Sequence, residues 1–174
     1  MRPTIRQTPR AGVLLLAGLI AAAVAGNAGG SPRAALGKAG PERVLAERLG
    51  ADSALVEHTT DALEAESNGH SLLVESWKYH TAEKITLDLV LVHDETGAPV
   101  QGLIDERDLS PNHDTITLTG GVSATVERTA DEYGPGLIII TWAYDRDTAA
   151  HLIAHDPLDE ATVIGLANSV EAGS

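Results

Sequence analysis

The chain predicts an α+β domain in which a curved antiparallel sheet of about seven strands carries an N-terminal helix and a C-terminal helix packed on one face. Three observations predict it. Between Pro41 and Leu63 apolar and small residues recur at alternating spacings of three and four, which is a helical period. From His70 onward the period falls to two. The spacers between the later runs are short, and short spacers join antiparallel hairpins rather than parallel crossovers.

Pro41 opens the first helix, where its missing N–H costs nothing. Ala46, Leu49, Ser53, Val56, Thr60 and Leu63 then form one stripe, with Glu47, Arg48, Glu57, Asp61 and Glu64 largely on the other side. Gly50 and Asp52 offer a break into two helices, and Ser67-Asn68-Gly69 stops the run. Leu73, Trp77 and Tyr79 mark the first strand. The clearest strand follows, where Ile85, Leu87, Leu89 and Leu91 alternate with Lys84, Thr86 and Asp88 to give one dry and one wet face. After turn chemistry at 95–99, Val100 to Ile104 predicts a short strand, and 105–114 a polar loop. Strands are then expected over 115–119, 122–128, 137–144 and 149–155, separated by Gly120-Gly121, by 131–136 and by 145–147. Asp156 is expected to cap the closing helix, with Pro157 in its first turn and Asp159 and Glu160 near the positive end of its dipole. Leu158, Ala161, Thr162, Gly165, Leu166 and Val170 are its expected buried face.

The first thirty residues have the order of an export leader. Arg2, Arg6 and Arg10 form a basic head, the fifteen residues from Ala11 to Ala25 are small or apolar, and Gly26 to Gly30 is a glycine-rich exit. That apolar run is shorter than the roughly 20 residues that cross a hydrocarbon core. Residues 1–28 are therefore expected to be a cleaved signal peptide, with cuts before Gly26 or Gly29, or else a retained N-terminal membrane anchor. Residues 29–40 are expected to form a flexible stalk and 41–172 a single domain.

Composition narrows the partners. The formal charge of −13 and an isoelectric point near 4.8 oppose binding to phosphate backbones, so nucleic acid is not expected, and the membrane is expected only through an uncleaved N-terminal segment. Cysteine is absent, which removes disulfides and lipid anchoring through a cysteine. Lysine occurs only at 38, 78 and 84, a bias that fits either a GC-rich genome or an acidic surface adapted to salt.

A family resemblance rests on the C-terminal third. The strand Gly121-Val-Ser-Ala-Thr-Val126 precedes a strand ending Ile140-Thr141-Trp142 and another containing Ala150 and Leu152. The stretch Pro157-Leu158-Asp159-Glu160-Ala161 and the phrase Gly165-Leu166-Ala167-Asn168-Ser169-Val170 complete it. This order resembles the C-terminal unit of a broad group of extracytoplasmic bacterial proteins and lipoproteins, similar to the lipoprotein-carrier and sigma-factor-regulator (LolA/RseB-like) folds. The resemblance implies a half-barrel sheet with a helix packed into it, and in some members a groove for an acyl chain or a peptide. The chain departs from the lipoprotein members in having no lipobox cysteine.

Candidate chemistry is sparse. His151 and His155 with Asp156 are the candidate metal ligands, because a spacing of four puts two imidazoles on one side of a helix or a strand. In a strand His151, Ile153 and His155 share a face opposite Ala150, Leu152 and Ala154, and the histidines then point to solvent. A third ligand, His113 or Asp114, would have to arrive by folding. Turn carboxylates at 105, 106, 108, 131, 132, 145 and 147 fit no calcium-loop signature, and no pair among them is singled out for glycoside hydrolysis. No serine stands in a nucleophile elbow and no glycine-rich loop joins a strand to a helix. No catalytic residue and no cofactor are assigned. Trp77, Tyr79, Trp142 and Tyr144 are candidates to line a ligand groove, or else to fill the core of a chain without phenylalanine.

The expected function is an exported, non-enzymatic binding domain for an acyl-bearing or other small hydrophobic ligand, a peptide or another envelope protein. A small secreted hydrolase, metal-dependent or not, is the alternative, and a structural surface protein the third reading. Export has a direct test: a reporter enzyme fused after Thr60 is expected to be active only outside the cytoplasm. A fusion that stays cytosolic and soluble with its leader attached refutes it.

Overall fold

The computed structural model describes residues 40–65, 70–81, 86–101, 104, 109, 112–129, 136–155 and 158–172. The expected leader and stalk, through residue 39, lie outside the described residues. Helix α1 spans Pro41–Leu49 and helix α2 spans Glu160–Ala172. Between them come β1 (Ala54–Ala65), β2 (His70–His80), β3 (Thr86–Asp94), β4 (His113–Thr117), β5 (Ser123–Thr129), β6 (Leu137–Ala143) and β7 (Thr148–His155). A 3-10 turn at Thr119–Gly121 links β4 to β5. The strands form one open, curved antiparallel sheet in the order β1-β2-β3-β7-β6-β5-β4.

The first helix is much shorter than its apolar stripe predicts. Gly50 adopts φ +81, and its N–H donates to Ala46 O at 3.2 Å, which closes the helix where only glycine turns without strain. Residues 54–65, expected to be helical, are instead strand β1. They pair with β2 from Ala54↔His80 to Ala65↔His70, with a bulge between Leu55 and Glu57. A ladder of that length outweighs a helical spacing whose members include β-branched Val56 and Thr60, residues that suit a strand better. Leu45, which the expected stripe omitted, is the fully buried leucine of α1.

The sheet still has seven strands because one expected strand is lost. The expected strand at Val100 to Ile104 does not join the sheet among the described residues: Ile104 N–H donates to Val100 O at 3.1 Å, a bond to the fourth residue back, as in a helical turn. Val100 packs with Val90, Val92 and Ile153 on the sheet face away from the helices. A five-residue segment with only three apolar side chains is ambiguous between strand and helical turn, and here the packing of Val100 decides.

The second helix is capped three residues later than expected. Asp159 is the capping residue: Oδ1 accepts the Thr162 N–H at 3.0 Å, and Oδ2 accepts its hydroxyl at 2.6 Å. Those bonds hold the Asp159 carboxyl below the usual aspartate range. Asp156 and Pro157 lie outside the described residues. The buried stripe is Val163, Ala167 and Val170, while Ala161, Thr162 and Gly165 are exposed and Leu158 and Leu166 are partly buried. Arg128 on β5 ties the start of α2 to the sheet. Its Nε and Nη2 donate to both oxygens of Glu160, at 2.5 and 2.7 Å, and its Nη1 donates to Asp114 Oδ2 on β4 at 2.7 Å. The hydrogen bonds from Arg128 hold the Glu160 carboxyl below its ordinary range.

The main core lies between the sheet and both helices. Leu87, Leu89, Ile140, Trp142 and Leu152 meet Leu45 of α1 and Val163, Ala167 and Val170 of α2. Replacing Leu45 with alanine is expected to cost about 2–5 kcal/mol of unfolding free energy in urea titrations, since a fully buried leucine leaves a cavity. Arg43→Ala, on the exposed side of the same helix, is expected to change it by less than about 0.5 kcal/mol.

Candidate functional site

Trp77 and Tyr79 stand two residues apart on β2 and Trp142 on β6, so all three point toward the helices. Tyr144, just beyond β6, packs partly buried against the same core. Their polar tips are used by the helices. Tyr79 Oη donates to Glu42 O of α1 at 3.0 Å, and Trp142 Nε1 donates to Glu171 Oε2 of α2 at 2.8 Å. The exposed His58 ring on β1 stacks on Trp77, with centroids 4.9 Å apart and planes at 9°. Burial, then Glu42, pushes the Tyr79 phenol up to about 12. Burial is also the first cause that pushes Tyr144 up, followed by Glu171, Asp145 and Glu42.

His151 and His155 lie on β7 and share the face away from the helices with Ile153. The strand reading expected both at solvent. His151 is instead buried, at 1% exposure, because β7 is the middle strand of seven and is covered on both faces. Its Nδ1 lies 2.9 Å from Thr141 Oγ1 on β6. His155 is half-buried, and its Nε2 lies 3.2 Å from Asp88 Oδ2 on β3. The other oxygen of Asp88 is buried without a hydrogen-bond partner. Four residues along a strand span about 13 Å, so the two imidazoles do not converge on one ion. Asp156 lies outside the described residues. His113 and Asp114 sit on β4, three strands from β7, where Arg128 takes Asp114. Among the described residues no three or more His, Cys, Asp or Glu side chains are grouped to hold a metal ion.

Two open surfaces remain on the helix side and its margin. A cleft of about 440 Å³ lies between the helices, bordered by Val44, Glu47, Arg48, Ser169 and Ala172, and is polar and apolar in about equal parts. The second is the β1 edge. Among the described residues β1 has a hydrogen-bonded neighbour on one side only, and Leu55 and Val56 at its bulge, at 53% and 48% exposure, are the large apolar side chains most open to solvent. Glu57 pairs with Lys78 at 3.3 Å, and Asp61 holds one carboxylate oxygen buried without a hydrogen-bond partner. Sequence reasoning missed this edge because it took Leu55 and Val56 for part of a helix. The signal available was the cluster of β-branched residues at Val56, Thr59 and Thr60, directly before a turn sequence.

Comparison with family models, with curated proteins and with solved structures finds no match to this chain.

The Tyr79 bond yields a pH-dependent prediction. The phenol's folded value lies above its ordinary value of 10.0, so its contribution is complete below pH 10 and is lost as the pH rises through about 12. Tyr79→Phe is expected to lower stability by about 1 kcal/mol at neutral pH and to remove that alkaline decline, as measured by urea unfolding at stepped pH.

Proposed function

We propose that the chain is an exported, non-enzymatic binding domain that takes an extended segment of a peptide or an envelope protein along β1. The observation that carries this reading is the open twelve-residue edge with Leu55 and Val56 uncovered beside it. An edge strand presents a row of N–H and C=O groups that a second extended chain satisfies, and neighbouring apolar side chains add contact area.

Packing and charge favour this branch over the others. The space between sheet and helices is filled by Trp142, Leu45, Val163 and their neighbours, which leaves little room there for an acyl chain. The chain carries a net charge of −13, and Glu57 and Asp61 line the edge, so a segment with basic residues is attracted while a second copy of β1 brings acid toward acid. The export half of the reading rests on the basic head and the apolar run of residues 1–30. The similarity to extracytoplasmic carrier and regulator folds points the same way and stays part of the proposal.

Hydrogen exchange with a peptide of alternating lysine and valine tests the edge. Binding is expected to slow exchange of the β1 amides by about tenfold or more. The glutamate-valine counterpart, and a lysine-valine peptide methylated on the amides of its pairing edge, are expected to give no such protection. Protection that survives methylation, or that falls elsewhere on the chain, refutes the proposal.

A further inference from the structure

We infer a second binding site, for a small neutral polyhydroxylated molecule, on the sheet face that points away from the helices. A cavity of about 280 Å³ lies there, bordered on its polar part by Thr115 of β4, Ser123 and Thr125 of β5 and Thr141 of β6, and on an apolar part of similar extent by Ile104 and Leu109 from the β3–β4 connection. It is independent of the β1 edge, which lies at the opposite margin of the sheet.

The strand register builds the floor. Thr115 is opposite Thr125, Thr125 is opposite Thr141, and Thr141 is opposite His151, so three hydroxyls and an imidazole form one cross-strand row. Neighbouring strands lie about 4.8 Å apart, and the three hydroxyls therefore span about 10 Å. The inner end of the row is held firmly. Thr141 is buried, and its hydroxyl is bound to the ring of His151 at 2.9 Å. The outer end is open. Among the described residues the hydroxyls of Thr115, Ser123 and Thr125 make no side-chain hydrogen bond.

The chemistry of the lining selects the ligand class. A hydroxyl both donates and accepts, as do the hydroxyls of a polyol, so each contact is satisfied in either direction. The side chains that border the cavity carry no charge among the described residues, so a charged ligand would lose its water without gaining a counter-charge. A wholly apolar ligand would leave the hydroxyls without partners. The volume lies just under the ~300–1,000 Å³ of drug-sized sites, which sets the scale of a single sugar ring or cyclitol.

Titration of the full mature chain by amide-resolved NMR tests the site, with glucose and inositol as ligands and acetate and cyclohexanol as controls. At least one of the two polyols is expected to give saturable shifts centred on Thr115, Ser123, Thr125 and Thr141. Thr125→Val is expected to weaken that binding by about tenfold while the protein stays folded, and Ser123→Ala supplies the same comparison at a more exposed position. The inference is overturned if neither polyol saturates, if acetate or cyclohexanol binds as tightly, or if both folded variants bind like the wild type.

Discussion

The pairing of β3 with β7, in seven register pairs from Leu87↔Ala154 to His93↔Thr148, joins two meanders into one sheet. Strands β1 to β3 form one meander and β4 to β7 the other, and every remaining pairing is between strands adjacent in sequence. Among the described residues the junction is the only place where the two halves of the chain are hydrogen-bonded strand to strand. It puts Leu87, Leu89 and Leu91 beside Ala154, Leu152 and Ala150 on the helix side, and Val90 and Val92 beside His151 and Ala149 on the other. Both strands are thus apolar on two faces, and both faces need cover. The helices supply it on one side. On the other, Val100 packs over Val90 and Val92, and Ile104 packs partly buried against the same cluster.

From that demand follows the way the helices are fastened. Trp142 and Tyr79 bury their rings against the apolar face, and their donors reach Glu171 and Glu42 on the far side of the core. Buried aromatic donors need acceptors, and taking them from the helices converts a satisfied polar group into an orienting bond. The Arg128 fork on Glu160 and Asp114 does similar work at the entrance to α2, where charge is partly screened by water. With the helices drawn down in this way, the helix side is committed to stability. Uncovered surface among the described residues is left at the margin, along β1, and on the opposite face, where Thr115, Ser123 and Thr125 border a cavity.

Much of the fold was legible because alternation is local information. Leu87, Leu89 and Leu91 face the helices as their alternation predicts, and Ala150, Leu152 and Ala154 oppose His151 and Ile153 as expected, but the faces expected to be wet are covered as well: Asp88 and His151 are buried. The helix at the C-terminus follows from its own residues. Residues 54–65 were misjudged for a physical reason. Their spacing admits a helical stripe, and only pairing with the partner strand β2 makes the extended form preferable. Val100 and Ile104 show the converse: expected in a strand, they are joined by a helical-type hydrogen bond and pack over the sheet instead of joining it.

The amino-acid order by itself determined the α+β class, the antiparallel pairing, the two flanking helices and which side of β7 carries its histidines, since each depends on residues close together in the chain. It could not determine that His151 is buried beside Thr141, that Trp142 and Tyr79 anchor helices, or that the three threonines of β4, β5 and β6 fall in one row. Those facts depend on strand order and register, which are set by how distant segments share one core. A polar residue on the wet face of a strand meets water at the rim of a sheet and protein at its centre, and only the assembled sheet decides which.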